Sequence, residues 1–247
     1  NLMVSEIGLG CRSIGGKTTI NGRGLTFGNV SENTAQKLIN FSINVGITVF
    51  DTADSYSLGE SEKRLGKAMK EHRSDIHIFT KAGAIPTINP ESPFEIDLSY
   101  NHLLAALDRS LKRLDTEYVD LFQTHAIPKD EHEIYDVEKA FEKIKAENKA
   151  RYCGISVGNG IEKGLELINH DFIDCIQVSF SMVNKKALTE LIPKAYKKGI
   201  GIIVNRPLAE GFLEKHDKSF KSSDARYNFS HKKIENLKKE IQKFDFL

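Results

Sequence analysis

Four residues able to trade protons or hold charge stand at the ends of short apolar runs: Asp51, Tyr56, Lys81 and His125. The stretch "VFDTADSYSLGESE", Val49 to Glu62, is the clearest. Its apolar run stops at Asp51, Tyr56 follows five residues on, and Gly59 and Glu60 then open a helical pattern whose buried face is Leu65, Ala68 and Met69. "IHIFTKAG" carries Lys81, and "YVDLFQTH" ends at His125. Later runs bring Ser156, Gln177, and Asn205 with Arg206 and Pro207 to comparable positions. Each residue has a plain structural reading when taken alone. Asp51 could cap a turn, Tyr56 could sit in a surface loop, Lys81 could snorkel to solvent, and His125 could be a satisfied core histidine. Brought to one rim they form a proton-transfer device.

A phenol ionises near ~10, which makes it a poor proton donor and acceptor near neutrality. A neighbouring ammonium favours the phenolate, and a buried ammonium needs a counter-charge. Lys81 and Asp51 supply this pair. Tyr56 is then the general acid toward a carbonyl oxygen, a role worth roughly 10²–10⁴ in rate, and His125 orients that oxygen or shares the proton. No side chain is a hydride source, so the device calls for a nicotinamide or similar cofactor. Ser156 and Gln177 are the kind of groups that hold a carboxamide.

These positions require a scaffold that gathers strand ends. The β-rich runs "IGLGC", "ITVFDTA", "IHIFTKAG", "YVDLFQTH", "ARYCGISV", "CIQVSFSMV" and "IGIIVNRPL" alternate with helical patterns. Between the first two runs lies a helix over Ser31 to Val45. Leu103, Leu104, Leu107, Leu111 and Leu114 form one helical face, with Ser99 as its N-cap. Ile134, Val137, Phe141 and Ile144 form another. Leu188, Leu191, Ile192 and Ala195 form a third, closed by Lys197, Lys198 and Gly199. Continuous alternation means a parallel sheet with helices outside. "GLGCRSIGG" does not place its third glycine as a phosphate loop requires, so the expected fold is α/β, a (β/α)8 TIM barrel, with its site at the C-terminal ends of the strands. Only seven strands are visible, and "IENLKKEIQKFDFL" reads as the seventh helix. The expectation is one barrel domain over residues 1–247, lacking an eighth strand and last helix.

The 247 residues are 40% hydrophobic and 28% charged, with a formal net charge of +1, an ordinary globular balance. There is no apolar run of 18 residues, so no membrane partner is expected. Mixed charge argues against nucleic acid. The start lacks a signal-peptide layout. Cys11, Cys153 and Cys175 form no pair or metal cluster, and read as buried, reduced thiols of a cytoplasmic protein.

On these motifs the chain resembles the aldo-keto reductases over nearly its whole length. The resemblance is carried by "VSEIGLGC", "GITVFDTADSYSLGESEKRLGKAM", "FTKAG", "SLKRLDTEYVDLFQTH", "GISVGN", "IQVSFSMVN" and "PLAEGFL". It implies a catalytic tetrad of Asp51, Tyr56, Lys81 and His125, and reduction of a small carbonyl or sugar substrate with NADPH. It also implies cofactor contacts at Asp51, Ser156 and Gln177, and a pyrophosphate site from Arg206 through Leu208 to Gly211. Gly10, Cys11 and Arg12 resemble the segment beneath nicotinamide and substrate. Val157 stands where many members have Asn, which leaves open whether Asn159, two residues on, compensates. Asn205 is the nearest match to the often aromatic residue stacking on the nicotinamide, and the Arg206 plane could take that role. The family's eighth strand grips the adenosine and separates NADPH from NADH, and no match to it is present, so NADH stays open. Two other functions fit the same residues: a cofactor-binding regulatory subunit, and a lyase or epimerase using the nicotinamide transiently.

Asp54 reads as a plain turn residue. A metal held by Asp51, Asp54 and His125 is disfavoured, because Lys81 competes for the carboxylates and no histidine pair anchors it. The loop from Gly15 to Val30 shapes the pocket, with Phe27 as a wall. The polar stretch from Glu214 to Ser230 is a loop able to fold over the cofactor.

Overall fold

The computed structural model describes residues 2–89, 91–214, 220–221 and 224–244. Each expected β-rich run contains a strand. These are β1 (Gly8–Gly10), β2 (Val49–Asp51), β3 (His77–Ala82), β4 (Val119–Thr124), β5 (Ala150–Gly158), β6 (Cys175–Ser179) and β7 (Gly201–Asn205). They pair in parallel, strictly in chain order. A helix follows each strand: α1 (Glu32–Asn44), α2 (Glu60–Met69), α3 (Tyr100–Leu114), α4 (Glu131–Ala146), α5 (Ile161–Leu167), α6 (Leu191–Lys197) and α7 (His231–Ile241). The arrangement is that of a (β/α)8 barrel left partly unclosed, with β1 and β7 as its two edges among the described residues.

Local chemistry sets the helix ends. Ser31, Ser99 and Asp130 precede α1, α3 and α4, and each side chain accepts a backbone N–H three residues on. That satisfies one of the unpaired donors of a first turn. Asp115 turns left-handed after α3, and Gly199, at φ +73°, closes the segment after α6. The stripe beginning at Leu188 starts later than expected. Leu188 is half exposed in a short 3-10 turn, and α6 begins at Leu191, with Pro193 in its first turn, where a missing N–H is harmless. The Gly15 to Val30 segment is more ordered than a plain loop, since Thr19–Ile20 and Arg23–Gly24 pair as a short antiparallel hairpin.

Side chains alternate across each strand. Phe50, Ile78, Phe122, Cys153, Ile176 and Val178 join the helix faces in the main core, which includes Leu103, Leu107, Phe141, Ile144 and Leu191. Val49, Phe79, Leu121 and Cys175 form a second cluster, joined by Tyr152 and Ile203. Two residues further along, on the same faces, stand Asp51, Lys81, Gln123, Gln177 and Asn205. The inner surface therefore changes from apolar to polar at one level of the barrel, toward the C-terminal ends. Below it, in the apolar layer, Gly154 allows β5 and β6 to approach, because a Cβ would lie 2.3 Å from the Cys175 carbonyl oxygen. No described helix is long and apolar enough to cross a membrane.

Candidate active site

The loop after β2 is tied to β3 before it reaches the tyrosine. Thr52 N donates to Phe79 O at 2.8 Å and Asp54 N to Lys81 O at 3.0 Å. Lys81 is fully buried, and its Nζ donates to Asp51 Oδ1 and Thr52 O, both at 2.7 Å. Burial alone would push this ammonium toward neutrality. Asp51, and then Tyr56, outweigh it and hold Lys81 above the ordinary lysine range. The Nζ lies 5.2 Å from the Tyr56 ring centroid. His125 meets the same ring edge-on, at 5.5 Å between centroids. The four tetrad residues are thus assembled in one place.

Tyr56 is followed by three left-handed residues, Ser57 at φ +53°, Leu58 at +56° and Gly59 at +88°. Such backbone is sterically costly for non-glycine residues, and it reverses the chain directly into α2. Packing from α3 holds it. Arg113 lies against Gly59, where a Cβ would sit 2.6 Å from the Arg113 Cδ. Arg113 Nε donates to Glu62 Oε2 at 2.6 Å, and Thr80 Oγ1 to Glu62 Oε1 at 2.6 Å. Asp54 is drawn into this cluster. Its Oδ1 is buried with no hydrogen-bond partner among the described residues. Burial, then the charge of Glu62, push its carboxyl up to about 7, against the opposing charge of Arg113. Asp54 thus sits in a turn, as expected, and is in addition enclosed there. The sequence held an acid near the site but no sign that α2 and α3 would enclose it.

His125 continues from β4, its N donating to Ala82 O at 2.7 Å. Burial, then Lys81, Arg12 and Arg206, hold its imidazole well below the usual histidine range, so it is neutral near neutral pH. Its Nδ1 lies 3.2 Å from Ser55 Oγ. Sequence reasoning passed over Ser55, although a hydroxyl one residue before Tyr56 was a usable signal.

A second polar chain runs from Asp51 across the barrel. Gln177 Nε2 donates to Asp51 Oδ2 at 2.8 Å. Gln177 Oε1 accepts from Ser156 Oγ at 3.5 Å and Asn205 Nδ2 at 3.4 Å. Asn205 Oδ1 accepts from Ser179 Oγ at 2.8 Å. Asn205 is thus a hydrogen-bonding partner of Gln177. Asn159 does not replace the missing amide next to Ser156, because it is exposed and bonded to Asn184 at 2.9 Å.

A cleft of about 1020 Å³ opens over these groups, and its walls include Gly10, Arg12, Phe27, Asp51, Tyr56, His125, Ser156, Gln177, Asn205 and Arg206. It continues down the open edge past Gly8 and Ile203. Lys81 lies beneath it. The Cys11 side chain packs into the core away from it, while the Cys11 backbone binds Asp51 O and Ser61 Oγ. Leu208 is largely exposed, and Ala209–Gly211 form a 3-10 turn beside the cleft. Arg206, Ala209 and Glu210 all have positive φ, a concentration of strain of the kind found at ligand clamps. Arg206 pairs with Glu210 at 3.3 Å. Of the stretch from Glu214 to Ser230, residues 215–219 and 222–223 lie outside the described residues. The described part reaches the Phe27 loop, with Gly28 N donating to Asp224 Oδ2 at 2.8 Å and Ala225 N to Thr26 O at 2.8 Å.

A buried Lys–Asp pair behind a tyrosine and a neutral histidine, on the C-terminal rim of a parallel barrel, defines a barrel-fold oxidoreductase of the carbonyl-reducing type. Residues 6–246 match the Aldo/keto reductase family, and the chain belongs to that family, whose members are NAD(P)H-dependent oxidoreductases. It is 30% identical to the protein named Uncharacterized oxidoreductase YqkF of Bacillus subtilis, over 98% of this chain and 74% of that protein. It is also 30% identical to L-galactose dehydrogenase of Arabidopsis thaliana, over 86% of this chain and 64% of that protein. Among solved structures it is similar to the holo form of aldo-keto reductase AKR11C1 from Bacillus halodurans. That likeness has a TM-score of 0.73 and 30% identity, over 88% of this chain and 67% of that one.

Proposed function

We propose that this chain is an NAD(P)H-dependent reductase acting on a small carbonyl or sugar. The carrying observation is the placement of Tyr56 on the cleft wall, 5.2 Å by ring centroid from an ammonium that Asp51 keeps charged. Tyr56 donates a proton to the carbonyl oxygen as the carbonyl carbon is reduced to an alcohol. Lys81 stabilises the negative charge left on the phenolic oxygen. His125, held neutral, donates a hydrogen bond to the same carbonyl oxygen and positions it without competing for the proton.

The residues present fit a dinucleotide. The amide cluster of Gln177, Ser156 and Asn205 presents donors and acceptors suited to a carboxamide. Arg206, Leu208 and Gly211 stand where the strained turn meets the cleft and would hold the pyrophosphate, with Gly10 and Arg12 on the opposite wall. Bound there, the nicotinamide supplies the hydride. NADPH is the cofactor we favour, with NADH as its competitor in the test. One main core running from Cys11 to Ala195 supports treating the chain as one barrel unit. Three buried, unpaired thiols support a reducing, cytoplasmic setting.

The test is titration of the full chain with NADPH and NADH by fluorescence, followed by a panel of aldehydes, ketones and sugars. Substrate-dependent oxidation of the nucleotide is expected. Conversion of a sugar without net nucleotide oxidation would replace this reading with an epimerase or lyase. Binding without any turnover would favour a regulatory subunit.

A further inference from the structure

Charges around the cleft are matched almost throughout. Lys81 pairs with Asp51 at 2.7 Å, Arg206 with Glu210 at 3.3 Å, and Arg226 with Asp224 at 2.8 Å. Glu210 has a second cation in Lys233 at 3.1 Å. Arg12 and the exposed Glu6 are the exceptions among the lining residues. Arg12 is the cation of the two, and no carboxylate among the described residues lies within ion-pair reach of it.

Its geometry leaves a defined edge free. Arg12 Nε and Nη2 both donate to Leu25 O, at 3.3 and 3.1 Å. One backbone carbonyl therefore takes the side edge of the guanidinium. The end edge, formed by Nη1 and the second hydrogen of Nη2, has no partner among the described residues. The plane is held from its face by Phe27, whose ring centroid is 4.5 Å from Arg12 Cζ. Phe27 is itself steadied by Arg226 at 5.0 Å. A guanidinium fixed by a carbonyl and an aromatic face, with its fork open, is suited to a planar or tetrahedral oxyanion. The same Cζ is 5.9 Å from the Tyr56 ring centroid, so an anion bound there lies only a few bonds from a carbonyl presented to Tyr56.

We propose that Arg12 is the substrate-anion receptor of this cleft, binding the carboxylate or phosphate of a short oxo compound whose carbonyl faces Tyr56. The inference rests on the reductase reading above and adds a substrate class to it. It also moves Arg12 from the cofactor to the substrate side of the cleft, because its Cζ lies 5.9 Å from the Tyr56 ring centroid.

Two matched pairs of probes test it: succinate semialdehyde against butanal, and glyceraldehyde 3-phosphate against glyceraldehyde. The wild-type chain is expected to favour the charged member of at least one pair by tenfold or more in kcat/KM, and the pair that responds distinguishes carboxylate from phosphate. Arg12→Met should abolish that preference and bring the two members of the pair to near-equal kcat/KM, since removing one partner of a desolvated charge pair costs more than about tenfold. Arg12→Lys, which keeps the charge but loses the fork, should fall between. A preference unchanged within about threefold overturns the proposal. So does a loss of NADPH affinity with the preference intact, which would assign Arg12 to the cofactor. If neither nucleotide binds and nothing turns over, the reductase reading fails by itself. Arg12 is then decided by calorimetric titration with succinate and with glyceraldehyde 3-phosphate: heat lost in Arg12→Met supports the receptor, and equal heats in both proteins overturn it.

Discussion

Ser55 Oγ lies 3.2 Å from His125 Nδ1, and no other acceptor for the Ser55 hydroxyl is found among the described residues. A hydroxyl that donates to Nδ1 places the imidazole proton on Nε2, and that is the tautomer the positioning role proposed for His125 requires. His125 is neutral, so this choice of tautomer decides whether the ring offers a substrate oxygen a donor or a lone pair. Ser55→Ala is expected to lower kcat about tenfold, roughly the worth of one hydrogen bond. The ¹⁵N spectrum of His125 should shift from one tautomer to a mixture, and Ser55→Thr should restore both. An unchanged ¹⁵N spectrum in Ser55→Ala would remove Ser55 from this role.

Tyr56→Phe deletes one oxygen and keeps the ring against His125 and Lys81. Cofactor affinity should persist while kcat/KM falls by roughly 10²–10⁴, the range for a lost general acid. Steady-state kinetics beside a nucleotide titration reads both, and full turnover in the variant would rule out the proton-donor role.

Asp54 makes stability pH-dependent. Its folded-state ionisation, at about 7, is raised above the ordinary carboxyl value. The contribution is therefore complete below about pH 4 and is lost as pH rises through about 7. The upper bound is roughly 4 kcal/mol, at about 1.4 kcal/mol per pKa unit. Urea midpoints for wild type and Asp54→Asn at about pH 5 and about pH 8 check this, since the asparagine variant should show a flatter dependence. Parallel slopes would show that Asp54 is not the titrating group.

The pair between Glu62 and Arg113 joins α2 to α3 beneath the Tyr56 turn. Glu62 is fully buried while the Arg113 side chain is 20% exposed, so Glu62→Ala should cost about 3 kcal/mol, the low end of the range for breaking a buried pair. Urea denaturation gives the value, and a loss below about 1 kcal/mol would mean that the pair behaves as an exposed one.

Leu58 is more than half exposed at φ +56°. Asn adopts this backbone more readily, so Leu58→Asn should stabilise the chain by about 0.5–1 kcal/mol. A lower thermal midpoint would show that Leu58 makes a contact worth more than the strain it carries.

The strands were legible in the sequence because they depend on short-range order, and the meeting of Asp51, Tyr56, Lys81 and His125 followed from their places at the strand ends. Val49 to Asp51 and Phe79 to Lys81 each step from apolar to polar over two residues, and that step places the charge above the apolar layer of a barrel. Cross-chain facts were not legible. Ser55 meets a histidine 70 positions away. Asp54 is enclosed only because α3 brings Arg113 over Gly59. The open fork of Arg12 depends on the Leu25 carbonyl, which the hairpin between them presents. Leu188 matched a helical period, yet the helix starts three residues later, because periodicity does not locate a first turn.

Asp51 has two carboxylate oxygens, and the fold gives one to Lys81 and the other to Gln177. A ligand that recruits the Gln177 amide must compete for that second oxygen or replace its donor. Occupancy at one end of the barrel rim and charge balance at the other are then thermodynamically reciprocal. Whatever factor the ligand imposes on the Lys81–Asp51 pair, the state of that pair imposes on the ligand's affinity. The carboxylate thus acts as a hinge in free energy without any moving part.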